Sequence, residues 1–298
     1  MYPLKNLIQI LLFISFSVAQ GPANSFGIGN HQKWSSPSQG GIGSVGLVPS
    51  FQYNVSLSNP VTWSNLKFTH LSVSYNGSES TIVKNNANNG FSNLQSAQLI
   101  IPVKQKYAFG IELHPYSYQQ IILSDTVYND IIAFEDTVSV QKKYEQSGGI
   151  MALDLSLSSS LFSGNNIGFK MQLLFGSSRQ NKSLILNQIP YTQSSRLNYS
   201  GINSTFYISQ KVNLIKFYLN TSFSINPLEA IYTKLYPFDD TNNNGYHDIS
   251  YYYPDFPHPN DVPEPETGRL TNIYDYSSLS IGISKIFIKR FSLLEIGT

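Results

Sequence analysis

Residues 166–176 read NIGFKMQLLFG, and this stretch decides the fold. Ile167, Phe169, Met171, Leu173 and Phe175 fall on one face of an extended chain, opposite Gly168, Lys170, Gln172 and Leu174. The same period of two recurs in 107–114, 150–158 and 215–225. Each stretch is predicted to be a strand with an apolar side and a polar side. An outer-membrane barrel needs this pattern, because its strands face lipid outside and a polar lumen inside.

The composition agrees with such a barrel and argues against other classes. Charged residues make up 12% of the 298 residues, against about 25% in an average soluble protein. Polar character comes mainly from Ser, Asn, Gln and Tyr, which suit lumen walls, interfacial girdles and extracellular loops. The net charge of +1 with no basic run predicts no binding to nucleic acid. The chain has no Cys, which excludes disulfides and thiolate metal sites.

The chain divides into three segments by sequence pattern. Residues 1–19 resemble a signal peptide, with Lys5 before a short apolar run and small residues at Ser17 and Ala19. Residues 20–65 are rich in Gly, Ser, Pro and Asn and are predicted to form an irregular plug, or hatch. Residues 66–298 are predicted to form the barrel.

Strand-like runs in the third segment follow one another through short links. They lie at about 67–75, 94–103, 107–115, 131–144, 149–159, 166–176, 183–189, 195–209, 212–225 and 276–288. We therefore predict an all-β fold, a transmembrane antiparallel up-and-down β-barrel with an N-terminal plug. Residues 79–92 are predicted to be a polar loop, and 236–275 a long extracellular loop. Ten to twelve strands are visible, and the sequence ends in 294–298 without the C-terminal aromatic usual in outer-membrane strands, so we expect that C-terminal strands are missing.

One loop carries the chemistry of a metal site. Residues 240–248 have the spacing D-x-N-x-N-G-x-x-D, which resembles the calcium loops of EF-hands and thrombospondin type 3 repeats. The expected ligands are Asp240, Asn242, Asn244, the carbonyl of Tyr246, and Asp248. The twelfth position is Tyr251 rather than Glu, so a further ligand would come from Asp255, Asp261 or elsewhere. The competing interpretation is a solvated Asn/Gly-rich turn.

The sequence offers no catalytic constellation. The five His are scattered, and neither H-E-x-x-H nor G-x-S-x-G occurs. Glu112, Asp154, Lys170 and Lys216 fall on the predicted lumen faces, where ionisable groups are commonly solvated or paired. We therefore predict that the protein is not an enzyme.

Several segments resemble the FadL-type family of outer-membrane transporters for hydrophobic compounds, especially its Bacteroidetes-like branch. Ser58-Asn59-Pro60-Val61 with Trp63 resembles the end of the family's hatch, with Val61 in place of Ala. The runs 109–117, 144–149 and 174–177 resemble, in order, a strand end, a glycine-rich turn before a strand, and a later strand end.

This resemblance implies a 14-stranded barrel in the outer membrane of a Gram-negative-type bacterium, inserted by the barrel assembly machinery. It also implies passive uptake of fatty-acid-like or aromatic molecules through a lateral opening. The related type IX secretion shuttles share the barrel and plug but carry proteins. Irregular backbone at membrane depth must be surrounded by protein or line a cavity, so substrate would meet hatch residues. These are Phe26, Trp34, Leu47, Phe51, Asn59, Pro60 and Trp63, for which ordinary plug packing is the alternative.

Two other functions stay open on the sequence. One is an outer-membrane scaffold or secretion accessory that displays the 236–275 loop. The other is a soluble secreted β-sandwich that binds glycans through Tyr251-Tyr252-Tyr253.

Overall fold

The computed structural model describes most of the barrel segment and parts of the N-terminal segment. The described residues are 28–31, 46–49, 55–82, 87–125, 129–133, 136–162, 164–186, 189–240, 242, 244, 246–249, 252, 254–286 and 291–297. The predicted signal peptide 1–19 lies outside them.

The described residues form one antiparallel sheet of thirteen strands. The strands are β1 Asn30–His31, β2 His70–Ile82, β3 Ala87–Val103, β4 Tyr107–Ser124, β5 Asn129–Ala133, β6 Asp136–Phe162, β7 Asn165–Leu186, β8 Ile189–Val212, β9 Ile215–Lys234, β10 Phe238–Asp239, β11 Glu266–Tyr274, β12 Ser277–Ile286 and β13 Phe291–Gly297. Their order is β13-β12-β9-β8-β7-β6-β4-β3-β2, and β1, β5, β10 and β11 pair with β4, β6, β8 and β9. This order confirms an all-β, up-and-down antiparallel fold.

Helical structure is minor in the described part of the chain. Two 3-10 helices are present, Pro60–Asn65 and Pro259–Asp261. No helix among the described residues has the length and apolarity that crossing a membrane requires.

The strand register aligns chemically similar residues in rows across the sheet. One row contains Phe109, Leu157, Phe169, Phe206, Thr221 and Leu279. The row that begins one residue later on β4 contains Gly110, Ser156, Lys170, Thr205 and Ser222. The row that begins two residues after Gly110 contains Glu112, Asp154, Gln172, Asn203 and Ser224. Because neighbouring residues of a strand point to opposite faces, apolar rows occupy one face and polar rows the other.

Burial on these two faces is the reverse of that in a soluble protein. Glu112 and Asp154 are 3% and 1% exposed, whereas Phe109 and Phe206 are 49% and 45% exposed. The alternation predicted for 107–114, 150–158, 166–176 and 215–225 therefore has the predicted facing. We call the polar side the inner face and the apolar side the outer face.

Several strand boundaries predicted from the sequence are wrong. Residues 79–82 and 87–92 of the predicted loop belong to β2 and β3, which pair with each other, and β6 runs unbroken through 144–149, which was expected to contain a turn. β7 continues past Gly176 to Leu186, although 174–177 was expected to end a strand. The predicted loop 236–275 contains β10 and β11. Polar residues in these places mark strand extensions that pair with neighbours, and composition alone does not separate those from loops.

Residues 46–49 and 55–65 of the N-terminal segment pack on the inner face, whereas Asn30–His31 pairs with β4 as strand β1. Trp63 Nε1 donates to the Ser56 carbonyl at 2.9 Å, and Asn59 Nδ2 donates to the Leu47 carbonyl at 2.6 Å. The Asn59 side chain also accepts from the Val61 amide and so caps the first 3-10 helix. Asn166 of β7 donates to the Val61 carbonyl at 2.8 Å, which attaches this helix to the sheet.

Candidate functional site

A cluster of charged and amide side chains lies on the inner face, beneath the N-terminal segment. It consists of Glu112 and His114 of β4, Asp154 of β6, and Lys170 and Gln172 of β7; we call it the interior polar cluster. The register places Glu112 opposite Asp154 and Asp154 opposite Gln172. Alternate residues of adjacent strands point the same way, so the sheet itself brings these five side chains together.

Lys170 is the electrostatic centre of the interior polar cluster. Its Nζ lies 2.8 Å from Asp154 Oδ2 and 3.8 Å from Glu112 Oε2. His114 Nε2 lies 3.3 Å from Asp154 Oδ2, and its Nδ1 lies 3.1 Å from the Pro115 carbonyl. Burying two carboxylates is tolerable only when cations and hydrogen bonds compensate them, and Lys170 supplies the shared cation.

Amide side chains extend the cluster across six strands. Gln172 Nε2 donates to Asp154 Oδ1 at 2.9 Å, and Asn203 Nδ2 donates to Gln172 Oε1 at 3.2 Å. At the other end, Gln98 Nε2 donates to Glu112 Oε2 at 3.3 Å and to the Leu57 carbonyl at 2.9 Å. The network therefore joins β3, β4, β6, β7 and β8 to the N-terminal segment, and Ser224 of β9 continues it by donating to Asn203 at 2.9 Å.

A cavity of about 190 Å³ separates the interior polar cluster from Gly46, Leu47 and Ser58. Its other walls include Tyr207 and Asn220. Glu112 Oε1 is buried without a hydrogen-bond partner. The cavity therefore has room and partners for water or a small polar group, and Leu47 is one apolar residue among mostly polar walls.

The predicted hatch residues separate into two groups. Phe26, Trp34 and Phe51 lie outside the described residues. Leu47, Asn59, Pro60 and Trp63 are buried, with Trp63 1% and Asn59 0% exposed. Of these four, Leu47 lines the cavity, and Asn59 and Trp63 have their polar atoms in bonds within the segment.

Three glycines of the sheet, which we call the glycine seats, allow side chains of the N-terminal segment to pack directly against the strand backbone. A Cβ on Gly110 of β4 would lie 2.3 Å from the Trp63 ring, and one on Gly282 of β12 would lie 2.6 Å from Val48. A Cβ on Gly168 of β7 would lie 3.1 Å from Val61. The sequence prediction missed these contacts, although inward-facing glycines in otherwise regular strands were a usable signal for close backbone approach.

The predicted metal ligands are linked to one another by hydrogen bonds between their side chains and nearby backbone amides. Asp240 Oδ1 and Asn242 Oδ1 both accept from the Asn244 amide, at 2.9 and 3.1 Å, and Asn244 Oδ1 accepts from the Tyr246 amide at 2.7 Å. Asn244 Nδ2 donates to Asp248 Oδ2 at 2.7 Å. Among the described residues, no three carboxylate, imidazole or thiol groups converge as a ready metal site.

A polar inner face, an apolar outer face and an up-and-down sheet define the class of outer-membrane β-sheet proteins. A family model described as BamG matches residues 4–237, and the chain belongs to the BamG family. This family is an outer-membrane component related to the barrel assembly machinery, so the chain is an outer-membrane-associated bacterial protein. No FadL-type family matches, and the FadL resemblance is unsupported. Neither the curated proteins nor the solved structures contain a match.

Proposed function

We propose that this protein is an integral outer-membrane β-barrel that serves the barrel assembly machinery as a structural accessory. In this proposal the sheet closes around the N-terminal segment, which acts as the plug. Membership of the BamG family over residues 4–237 supports the link to barrel assembly. The proposal is close to the scaffold alternative and differs from hydrophobic uptake.

The reversed burial of the two faces is the observation that carries the membrane assignment. Ile111, Leu157, Ile208 and Ile281 of the outer face are each about half exposed, whereas carboxylates of the inner face are buried. Contiguous apolar surface larger than a few hundred Å² is rare on soluble monomers and marks contact with a membrane or a partner. A β-sandwich would instead bury the apolar rows against a second sheet. Lipid contact accounts for the outer face.

The central strands are longer than a bilayer requires. β7 has 22 residues, about 70 Å at roughly 3.3 Å per residue, against an apolar band of about 25 Å. The regular alternation of its outward apolar residues runs from Ile167 to Phe175, and Ser177 and Arg179 follow on the same face. The extensions of β6, β7 and β8 then form a polar wall outside the membrane. Such a wall gives an accessory protein a surface for protein partners.

The first experiment tests membrane integration of the full-length protein. We expect it to fractionate with outer membranes, to resist carbonate extraction, and to migrate anomalously on a gel until boiled. A periplasmic protein that is soluble without detergent would contradict the proposal.

The second experiment tests the accessory role. The protein, tagged and expressed at its natural level, is purified from detergent-solubilised outer membranes. We expect enrichment of the barrel assembly machinery over a matched purification of an unrelated tagged outer-membrane barrel. Equal recovery from the two purifications would reject the accessory role while leaving membrane integration intact.

Hydrophobic uptake stays a prediction. The cavity beneath Leu47 is lined by Glu112, His114, Asp154 and Lys170, and desolvating these groups against an apolar molecule would be costly. Faster uptake of a labelled fatty acid by cells with the protein than by cells without it would favour transport over the accessory role.

A further inference from the structure

The Asp/Asn loop, residues 239–256, is closed by a pairing that the sequence motif does not contain. Asp239 and Phe256 form a β-bridge, in which the Asp239 amide donates to the Phe256 carbonyl at 2.7 Å. The Phe256 amide donates to Asp239 Oδ1. This bridge makes Asp255 a neighbour of Asp240, although fifteen positions separate them in sequence.

Asp255 has one oxygen engaged and one buried without a partner. Its Oδ2 accepts from the Asp248 amide at 2.8 Å. Its Oδ1 is buried without a hydrogen-bond partner, and the residue is 2% exposed. A buried carboxylate oxygen with no partner is costly, and a bound cation would remove that cost. Asp261, the other acidic residue considered from the sequence, is exposed in the second 3-10 helix.

The negative charge of this loop is concentrated. Asp240 is also buried, at 2% exposed. Asp240 and Asp255 are thus two buried carboxylates beside one β-bridge, which favours a positive ligand.

We propose that the Asp/Asn loop is a calcium site in which Asp255 completes the ligand set of Asp240, Asn242, Asn244, Tyr246 and Asp248. Asp255 takes the place that Glu occupies at the twelfth position of an EF-hand loop. The three carboxylates stand apart in the present arrangement, so binding draws them together and replaces the Asn244–Asp248 hydrogen bond. The flexible geometry and the six or more oxygens suit Ca²⁺ better than Mg²⁺, which keeps its waters.

The bound ion would fasten the loop against the end of the sheet. Phe238 is fully buried and its ring stacks on His247 at 4.5 Å, and Arg179 of β7 lies 4.0 Å over the Tyr246 ring. β10 pairs with β8 on the other side. Calcium at the centre of these contacts would hold the outer ends of β7 and β8 and the loop as one unit. The loop lies just beyond the segment that the BamG family model matches.

The test measures binding of Ca²⁺ to the full-length protein purified in detergent and stripped with chelator. Isothermal titration with CaCl₂ and displacement of Tb³⁺, sensitised by nearby Tyr246 and Tyr252, give two independent readouts. We expect one saturable site with a dissociation constant of about 10⁻⁴ to 10⁻³ M, typical of extracellular modules. Mg²⁺ should compete at least about tenfold more weakly.

Conservative variants separate this proposal from a solvated turn. Asp255→Asn and Asp240→Asn should each weaken binding at least about tenfold, whereas the exposed control Asp261→Asn should bind like the wild type. Gel migration before boiling confirms that each variant has folded. No saturable binding up to about 10 mM, or wild-type affinity in folded Asp255→Asn, would overturn the proposal. Neither outcome bears on the barrel assembly role, which the tagged purification tests separately.

Discussion

The interior polar cluster and the Asp/Asn loop are both acidic, but they compensate their charge differently. In the cluster, Lys170 lies 2.8 Å from Asp154 and 3.8 Å from Glu112, so the cation belongs to the chain. In the loop, backbone amides and amide side chains bond to Asp240, Asp248 and Asp255, and one oxygen of Asp255 has no partner. In the interior polar cluster, the charge of the carboxylates is therefore balanced within the protein itself. The Asp/Asn loop leaves a place for a cation from solution.

The location of each site explains the difference. The interior polar cluster lies under the N-terminal segment and beside the proposed membrane, where a separate ion would have to be trapped during folding. The Asp/Asn loop is at the end of the sheet, where ions have access. Four predictions test this contrast, from the largest expected effect to the smallest.

Removing the cation of the interior polar cluster should have the largest effect. Lys170→Met leaves Asp154 and Glu112 buried without their shared partner, which typically costs about 3–5 kcal/mol. We expect a large fall in the temperature at which the purified barrel loses its folded gel migration. Lys182→Met, on the exposed extension of the same strand, is the control. Adding Asp154→Asn to Lys170→Met should recover part of the loss, and a double variant as unstable as the single one would argue against charge as the cause.

Filling the glycine seats should displace the N-terminal segment from the inner face. A Cβ on Gly110 would lie 2.3 Å from the Trp63 ring, so Gly110→Ala should cost about 1–3 kcal/mol, as overpacking usually does. Gly168→Ala should cost less, because its Cβ would lie 3.1 Å from Val61. Thermal unfolding gives the order, and Trp fluorescence in a Trp34→Phe background reports on Trp63. Trp63→Leu should relieve Gly110→Ala, and the absence of any relief would refute the steric explanation.

The loop should respond to pH in opposite senses without and with calcium. The raised pKa of Asp255 means that the folded loop binds a proton more tightly than the unfolded loop does. Without calcium, the loop therefore loses stability as pH rises through the range above the usual carboxyl pKa. In chelator, protease cleavage within 236–262 should be slower at pH 4, near the usual carboxyl pKa, than at pH 7. In calcium, protection should instead be greater at pH 7, because protons compete for the carboxylates.

Protease activity itself varies with pH, so an unfolded substrate cleaved in parallel supplies the correction. Asp255→Asn should remove the pH dependence in chelator. If this variant kept the full dependence, another group would be responsible for it.

Loss of the contact between Arg179 and Tyr246 should have the smallest effect. A cation over an aromatic ring at an exposed site contributes about 0.5–1 kcal/mol. Arg179→Gln should therefore speed cleavage of the loop slightly in chelator and hardly at all in saturating calcium. Tyr246→Phe keeps the ring and should behave like the wild type. An equal acceleration in Tyr246→Phe would assign the effect to the hydroxyl.

The facing of the central strands could be predicted from the sequence, whereas their extent could not. Ile167 to Phe175 alternate with polar residues, and an alternating pattern fixes which side chains share a face. Residues 144–149 and 174–177 contain glycines that predicted a turn and a strand end. In the sheet, the extensions of β6 and β7 pair through these positions. Whether a glycine ends a strand or continues it depends on the neighbouring chain, which local sequence does not specify.

The candidate sites show the same division. The spacing of 240–248 identified oxygen ligands at alternate positions but left the further ligand open between Asp255, Asp261 and other residues. The bridge of Asp239 with Phe256 is what favours Asp255. The sequence placed Glu112, Asp154 and Lys170 on polar faces. It did not show that they meet, because their contacts depend on the register between β4, β6 and β7.

The sequence by itself determined that this chain forms amphipathic strands with apolar residues on one face and polar residues on the other. This follows because the period of two is a local property of extended backbone. Tertiary structure alone decided that two carboxylates share Lys170, that Gly110 and Gly282 accommodate Trp63 and Val48, and that Asp255 lies beside Asp240. These contacts join residues far apart in the chain, and only the pairing of strands and the packing of the N-terminal segment bring them within bonding distance.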